Sequence, residues 1–125
     1  MNDRPMIMIR ENVHPTNPNI LSRLIEIVLL PEHINTIQHM LKSIRDTGQR
    51  WTNITIVLHS QGIDLMRSDT NDICTLQLDT SEVHMKFPQY ALIRTYPEDW
   101  QKIVENSQPV IRIQYHNMSN KYSLL

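Results

Sequence analysis

The order in which apolar segments follow one another constrains the fold of this chain more than any other feature of its sequence. Residues 23–30 are dense in branched apolar side chains, which predicts a central strand buried on both faces. Apolar residues then recur at helical spacing between Pro31 and Gly48, with the proline in the first turn and the glycine as a stop. This pattern predicts the clearest helix of the chain.

Three antiparallel strands are predicted after that helix, and a shorter copy of the same order follows. The three strands lie at residues 51–58, 63–66 and 72–78. The second copy comprises a strand at 90–96, a helix at 97–105 that buries Trp100, Ile103 and Val104, and strands at 109–115 and 121–125. We therefore predict an α+β fold: a single domain of two strand-helix-strand units, with antiparallel sheet and two helices on one face.

The first twenty residues are predicted to stand apart from this domain. A short apolar run at 6–10 is a strand candidate, and residues 11–19, which include Pro15 and Pro18, are predicted to lack regular structure. We therefore expect an arm and linker at residues 1–20 and a folded domain at 21–125.

The composition is that of a soluble globular protein. Of 125 residues, 40% are hydrophobic and 20% are charged. The longest apolar run, residues 25–30, is interrupted by Glu26 and falls far short of the ~20 residues that span a bilayer. No secretory pattern opens the chain, so a nuclear or other intracellular location is expected and no membrane partner. The single cysteine, Cys74, leaves no internal disulfide and is expected in the core.

The sequence motifs of common catalytic and metal sites are not found. The two glycines, Gly48 and Gly62, lie too far apart for a phosphate-binding loop. None of the six histidines forms a pair at metal-ligand helical spacing, and residues 69–72 resemble a turn more than a calcium loop. We expect no enzyme, no cofactor and no metal. An enzyme whose site is dispersed along the sequence stays open as an alternative.

One segment carries a family resemblance. Gly62 to Asp69 reads GIDLMRSD, is followed by Ile73 and by the apolar positions of residues 76–78, and resembles the first-domain signature of PCNA-type DNA sliding clamps. The pattern requires a glycine for a tight turn and an acid at the second turn whose carboxylate bonds nearby backbone N–H groups. Asp69 is predicted to fill that role. Phe87 and Tyr90 match an aromatic pair of the family.

The resemblance spans roughly residues 22–125 and implies a clamp domain. Clamp chains join two such domains through a loop that grips partner peptides, whereas this sequence contains one domain and lacks the final strand. We hypothesise that the strand candidate at residues 6–10 replaces that strand.

In the clamp family the helices line the hole that surrounds duplex DNA. The resemblance therefore implies DNA contacts from His39, Lys42 and Arg45 on the first helix and from Lys102 on the second. Acidic neighbours nearly balance these bases, and the whole chain has a net charge of −1. The alternative is that these side chains only solvate the helix surfaces.

The resemblance also implies two protein-binding surfaces. A homo-oligomer, or a hetero-oligomer with other clamp chains, is expected to form through one strand edge: Ile73, Cys74, Thr75, Leu76, Gln77 and Leu78. A pocket for replication or repair proteins is expected at Ser68, Asp72 and Ile73. The leading hypothesis is a non-catalytic sliding-clamp accessory protein, such as a processivity factor. The rival is a clamp-fold interaction module that does not encircle DNA.

Overall fold

Local residue patterns account for most of the elements in a computed structural model that describes residues 7–48, 51–86, 92–119 and 121–125. Apolar residues alternate along β3 and recur along one side of α1, as a half-buried strand and an amphipathic helix require. The elements are β1 (Ile7–Val13), β2 (Leu21–Val28), α1 (Pro31–Thr47), β3 (Ile54–His59), β4 (Gly62–Arg67), β5 (Ile73–Gln77), α2 (Ser81–Lys86), β6 (Leu92–Thr95), α3 (Pro97–Glu105), β7 (Val110–His116) and β8 (Lys121–Leu124).

The α+β class and the order of strands and helices agree with the sequence-based expectation, with two corrections. The antiparallel strands form two sheets, a number that the sequence analysis did not specify. A third helix, α2, occupies a stretch for which no element was predicted. The expectation that residues 11–19 are irregular is wrong at its start, because β1 runs on to Val13. Pairing with β2 explains this: it supplies backbone partners, and Arg23 Nε lies 2.6 Å from Glu11 Oε1.

The two sheets are arranged as related halves. The strand order is β5-β4-β3-β6 in one sheet and β8-β7-β2-β1 in the other. In each sheet the strand before a helix pairs with the strand after the helix of the other half, as β6 pairs with β3 and β2 with β7. The internal repeat predicted from the sequence is thus found in the order and pairing of the strands.

β1 does not take the place of a final strand beside β8. It pairs with β2, at the opposite edge of the sheet from β8. The first sheet has β5 beyond β4, but among the described residues no strand lies beyond β8. The hypothesis that residues 6–10 replace the missing strand is therefore wrong in position, although β1 does bring this sheet to four strands.

The core lies between the sheets and beneath α1 and α3, which contact each other. Ile25 and Ile27 of β2, Ile37 of α1 and Trp100 of α3 are fully buried. The Trp100 indole donates to the Thr95 hydroxyl at 2.7 Å, so the large ring is buried without an unsatisfied N–H.

Both ends of α1 are held by specific groups. At its start, the N–H of Leu30 donates to Nδ1 of the buried His33 at 3.0 Å, and Nε2 of the same ring lies 3.0 Å from the carbonyl oxygen of Gln77. At its end, Gly48 adopts a left-handed φ of 68° and its N–H donates to the Arg45 carbonyl. His33 therefore fastens the helix to β5 as well as capping it.

Candidate interaction surfaces

The DNA-binding candidates are exposed on the helices but do not form one patch. His39, Lys42 and Arg45 project from the solvent side of α1, as the helical periodicity predicts. Arg45 lines a small groove between α1 and α3 together with Glu98.

Lys102 lies on another side of α3. It lines a separate groove formed by α3, β6, β7 and β8. The structure thus brings Lys102 to a different surface from that of Arg45, and an acid sits beside Arg45 where the helices meet.

At the proposed oligomer edge, β5 pairs with β4 alone among the described strands, and the Gln77 carbonyl at its end is bonded to His33 of α1. The side chains of Ile73, Thr75 and Gln77 are exposed, whereas Leu76 and Leu78 are buried in the core. Cys74 is half-buried rather than a full core residue, and burial raises the pKa of its thiol. Only the backbone edge and alternate side chains are therefore available to a partner.

The proposed partner pocket is a polar turn. Ser68 and Asp72 are exposed, and the Ser68 hydroxyl accepts a hydrogen bond from the Asn53 N–H at 3.0 Å. Ile73 is 55% exposed and supplies the apolar surface among these three residues. The site can offer one apolar contact and several hydrogen-bonding groups.

Asp69 lies at the predicted turn, but its chief partner differs from the prediction. Its carboxylate accepts two hydrogen bonds from the Arg67 guanidinium, at 2.9 and 2.7 Å, rather than chiefly from backbone N–H groups. Arg67 also donates to the Ser43 hydroxyl of α1 at 2.8 Å. The Arg67 hydrogen bonds are the main reason that the pKa of Asp69 lies below its ordinary value. This buried pair joins the β4–β5 turn to the helix.

A second polar group joins β3, β4 and β5. The Gln61 N–H donates to His59 Nδ1 at 3.3 Å, which assigns the ring proton to Nε2, and Nε2 lies 3.1 Å from Asp64 Oδ1. The Thr75 hydroxyl donates to the same carboxylate oxygen at 2.8 Å. The Thr75 hydroxyl and the His59 ring thus meet at the same Asp64 carboxylate oxygen. The three side chains therefore connect strands.

The sequence analysis missed one groove in the described part of the chain. We call it the β8 groove: it has a volume of about 690 Å³ and lies between β8 and the β6–α3 segment. Arg94, Lys102 and Arg112 supply positive charge, and Asp99 is the acid of the lining. The rest of the lining comprises Ile93, Tyr96, Ile103, Asn106, Val110, Tyr122, Ser123, Leu124 and Leu125.

The three bases lie on three consecutive elements, β6, α3 and β7, and no single motif contains them, so the sequence did not indicate the groove. The signal that could have found it is strand pairing: the sequence analysis assigned residues 6–10 to the place beside the last strand, whereas β1 pairs with β2.

Neither a metal centre nor a membrane-spanning helix is found among the described residues. Within the described ranges, no three His, Cys, Asp or Glu side chains converge in a way that could hold a metal ion. No helix in the described part of the chain is long and apolar enough to cross a membrane. Compared with protein-family models, curated proteins and solved structures, the chain shows no significant match.

Proposed function

We propose that this chain is a non-catalytic, sliding-clamp-like accessory protein for DNA replication or repair, acting inside the cell, in the nucleus where there is one. The observation that carries the proposal is the paired topology, in which two strand-helix-strand units exchange strands between their sheets. Helices α1 and α3 lie in contact, as the resemblance implies for a surface facing DNA. The GIDLMRSD segment lies on β4 and the turn after it.

Assembly is part of this proposal. The resemblance implies a ring of six clamp domains, and six copies of 14.8 kDa give about 89 kDa. A head-to-tail contact generates a ring only when the rotation between copies closes. The outer edge of β5 is the proposed contact, because its outward backbone groups from Ile73 to Thr75 can pair with a strand of a neighbouring chain. Another clamp chain could take the same place.

The second candidate is a clamp-fold module that binds proteins and does not encircle DNA. The charge of the helix surface favours it: Asp46 accompanies Lys42 and Arg45 on α1, and Glu98 and Glu105 accompany Lys102 on α3. Phosphate binding gains its free energy from an excess of bases, which releases counterions.

The experiment measures binding of a fluorescent DNA duplex by anisotropy across a salt series, together with native mass by light scattering. A clamp predicts binding at low salt that falls steeply as salt rises, weakened by a combined Lys42→Glu and Arg45→Glu variant. A matched Glu32→Lys and Asn35→Lys variant, which adds bases to the same helix, should strengthen it. Negligible DNA binding and a monomer throughout the micromolar range would overturn the clamp and leave the interaction module.

A further inference from the structure

One side of the sheet that contains β2 and β7 is turned away from the core. Ile25, Ile27 and Ile113 of these strands are fully buried on the other side. Since side chains alternate along a strand, the residues between them point outward. We call this side the outer face, and its centre is formed by Met8, Arg10, Leu24, Glu26, Val28 and Arg112.

Glu26 lies between two arginines at this centre. Its Oε2 accepts a hydrogen bond from Arg112 Nε at 3.2 Å, and Arg10 Nη2 lies 3.2 Å from its Oε1. The buried Oε1 accepts no hydrogen bond among the described residues, so charge rather than a hydrogen bond holds Arg10 in place. The side chains of Arg10 and Arg112 are 65% and 47% exposed. Because a guanidinium has several N–H donors, both arginines keep donors for the acceptors of a partner.

The outer face carries an excess of positive charge. Glu26 is the one acid on the described part of this face, against Arg10, Arg112 and Lys121. The whole chain, in contrast, has a net charge of −1. A partner that complements this surface is therefore acidic.

Apolar side chains lie beside these charges. Leu24 and Val28 flank Glu26 along β2, and Val110 of β7 lies opposite Val28. All three are half-buried, and Met8, opposite Glu26 on β1, is 37% exposed. Such side chains gain free energy when a partner removes them from water. A partner that uses the whole surface therefore combines acidic with apolar residues.

The pairing of the strands restricts the backbone of that partner. β2 pairs with β1 and β7, and β7 pairs with β2 and β8, so their backbone N–H and C=O groups are used within the sheet. The outer face offers only side chains, and no strand edge takes part. A partner must satisfy its own backbone groups, as a helix does, and a helix about 10 Å wide covers two strands that lie about 4.8 Å apart.

We propose that the outer face binds an acidic, amphipathic helix of a partner protein. The apolar stripe of the helix packs on Met8, Leu24, Val28 and Val110, and its carboxylates meet Arg10 and Arg112 at the side of the stripe. The proposed oligomer edge and partner pocket lie on the other sheet, at β5 and the turn before it. The inference does not depend on DNA binding or on ring assembly.

Duplex DNA fits this face less well than a protein does. Phosphate binding gains its free energy from bases alone, and here a carboxylate lies between the two arginines. A duplex would also leave the apolar side chains without an apolar partner. An acidic helix uses both kinds of group.

A direct test measures the fluorescence anisotropy of labelled peptides added to the full chain. The probe is a peptide of about 18 residues with leucine along one side of the helix and glutamate beside it. One control has the same composition with the leucines distributed around the helix, and another has lysine in place of glutamate. We expect the acidic amphipathic peptide to bind at least about tenfold more tightly than either control.

The charged centre is tested with a triple variant, Arg10→Gln, Glu26→Gln and Arg112→Gln. It removes both bases together with the carboxylate between them, so no buried charge is left without a partner. Lys42→Gln on α1 is the matched control, because it changes the net charge of the chain by the same amount. Circular dichroism verifies folding. We expect the triple variant to weaken peptide binding at least about tenfold and the control less than about twofold.

A second variant tests the apolar contact without touching a buried group. Met8→Ser should weaken peptide binding at least about threefold, because the peptide buries this side chain. Met118→Ser, at a methionine that is 71% exposed on the β7–β8 turn, is its control and should leave the affinity unchanged.

Several results would overturn the proposal. These are equal binding of the scrambled or lysine peptide, no binding of the acidic peptide up to millimolar concentration, or equal effects of each variant and its control. Tighter binding of duplex DNA, lost in the triple variant but not in Lys42→Gln, would instead identify the outer face as a nucleic-acid surface.

Discussion

Asp69 accepts two hydrogen bonds from the guanidinium of Arg67, two residues earlier, and the side chains of both are almost completely buried. The pair turns the chain between β4 and β5 and, through Arg67 and Ser43, fastens that turn to α1. Burying two charges is costly unless each satisfies the other, so the pair acts as a unit.

Replacement of Asp69 by alanine should destabilise the fold by about 3 kcal/mol, because it leaves the Arg67 charge buried without its partner. Asp72→Ala, at an exposed acid of the same turn, should cost less than about 0.5 kcal/mol. Urea denaturation measures both. Equal costs would show that the ion pair does not stabilise the turn.

The same pair predicts a pH dependence. The pKa of Asp69 is lowered in the folded state, chiefly by the Arg67 hydrogen bonds, so the unfolded chain binds the proton more readily. The stabilisation is present above the ordinary carboxyl pKa of about 4 and is lost as pH falls through the folded value. The stability difference between the wild type and Asp69→Asn should therefore shrink as the pH falls below about 4. A difference that is constant from pH 7 to pH 2 would contradict this.

We expect His33 to stabilise the fold, although it lies on a helix that also carries exposed polar residues. His33→Ala removes the partners of the Leu30 N–H and the Gln77 carbonyl and should cost about 2 kcal/mol. His39→Ala on the exposed side of α1 is the matched control and should be nearly neutral. Thermal melting compares the stabilities of the two variants. A His33→Ala variant as stable as the wild type would show that His33 does not stabilise the fold.

Leu41 is 4% exposed at the contact of α1 with the core. Leu41→Ala should cost roughly 2–5 kcal/mol through lost burial and the cavity left behind. Lys42→Ala, one residue further on and exposed, should cost less than about 0.5 kcal/mol. A cost below about 1 kcal/mol at Leu41 would mean that α1 does not pack as described.

Thr75 tests the oligomer edge. The Leu78 N–H donates to the Gln61 carbonyl, so these two residues form a hydrogen-bonded pair of the β4–β5 ladder. Bonded and non-bonded pairs alternate along antiparallel strands, so Thr75 belongs to a non-bonded pair and its N–H points away from β4. Thr75→Pro removes that outward donor and should dissociate any oligomer built on β5 without unfolding the monomer. Thr75→Val loses only the hydroxyl bond to Asp64 and should leave the assembly intact. Light scattering compares the masses, and an oligomer that persists in the proline variant would exclude this edge.

Much of the architecture could be predicted from local pattern. The predicted helix between Pro31 and Gly48 agrees with α1, since amphipathic periodicity, the proline and the stop glycine are all local signals. The predicted helix at 97–105 coincides with α3. Phe87 and Tyr90, which carried part of the family resemblance, lie outside the described residues.

Some side-chain contacts could be identified only from the tertiary structure. Arg67 could be recognised as the partner of Asp69 only once both were buried against α1, because a turn aspartate bonds equally well to backbone N–H groups. Helical spacing showed that Lys102 is exposed but not that α3 turns it toward Arg94 and Arg112.

The sequence alone determined where α1, α3 and most of the strands lie and which of their faces enter the core, because both follow from the spacing of apolar residues along a short stretch. The tertiary structure decided which strands are neighbours. β1 pairs with β2 and β8 pairs with β7, because strand pairing depends on which hydrophobic surfaces meet across the sheet. The β8 groove follows from that choice, since its charges come from separate elements that only the packed sheets bring together.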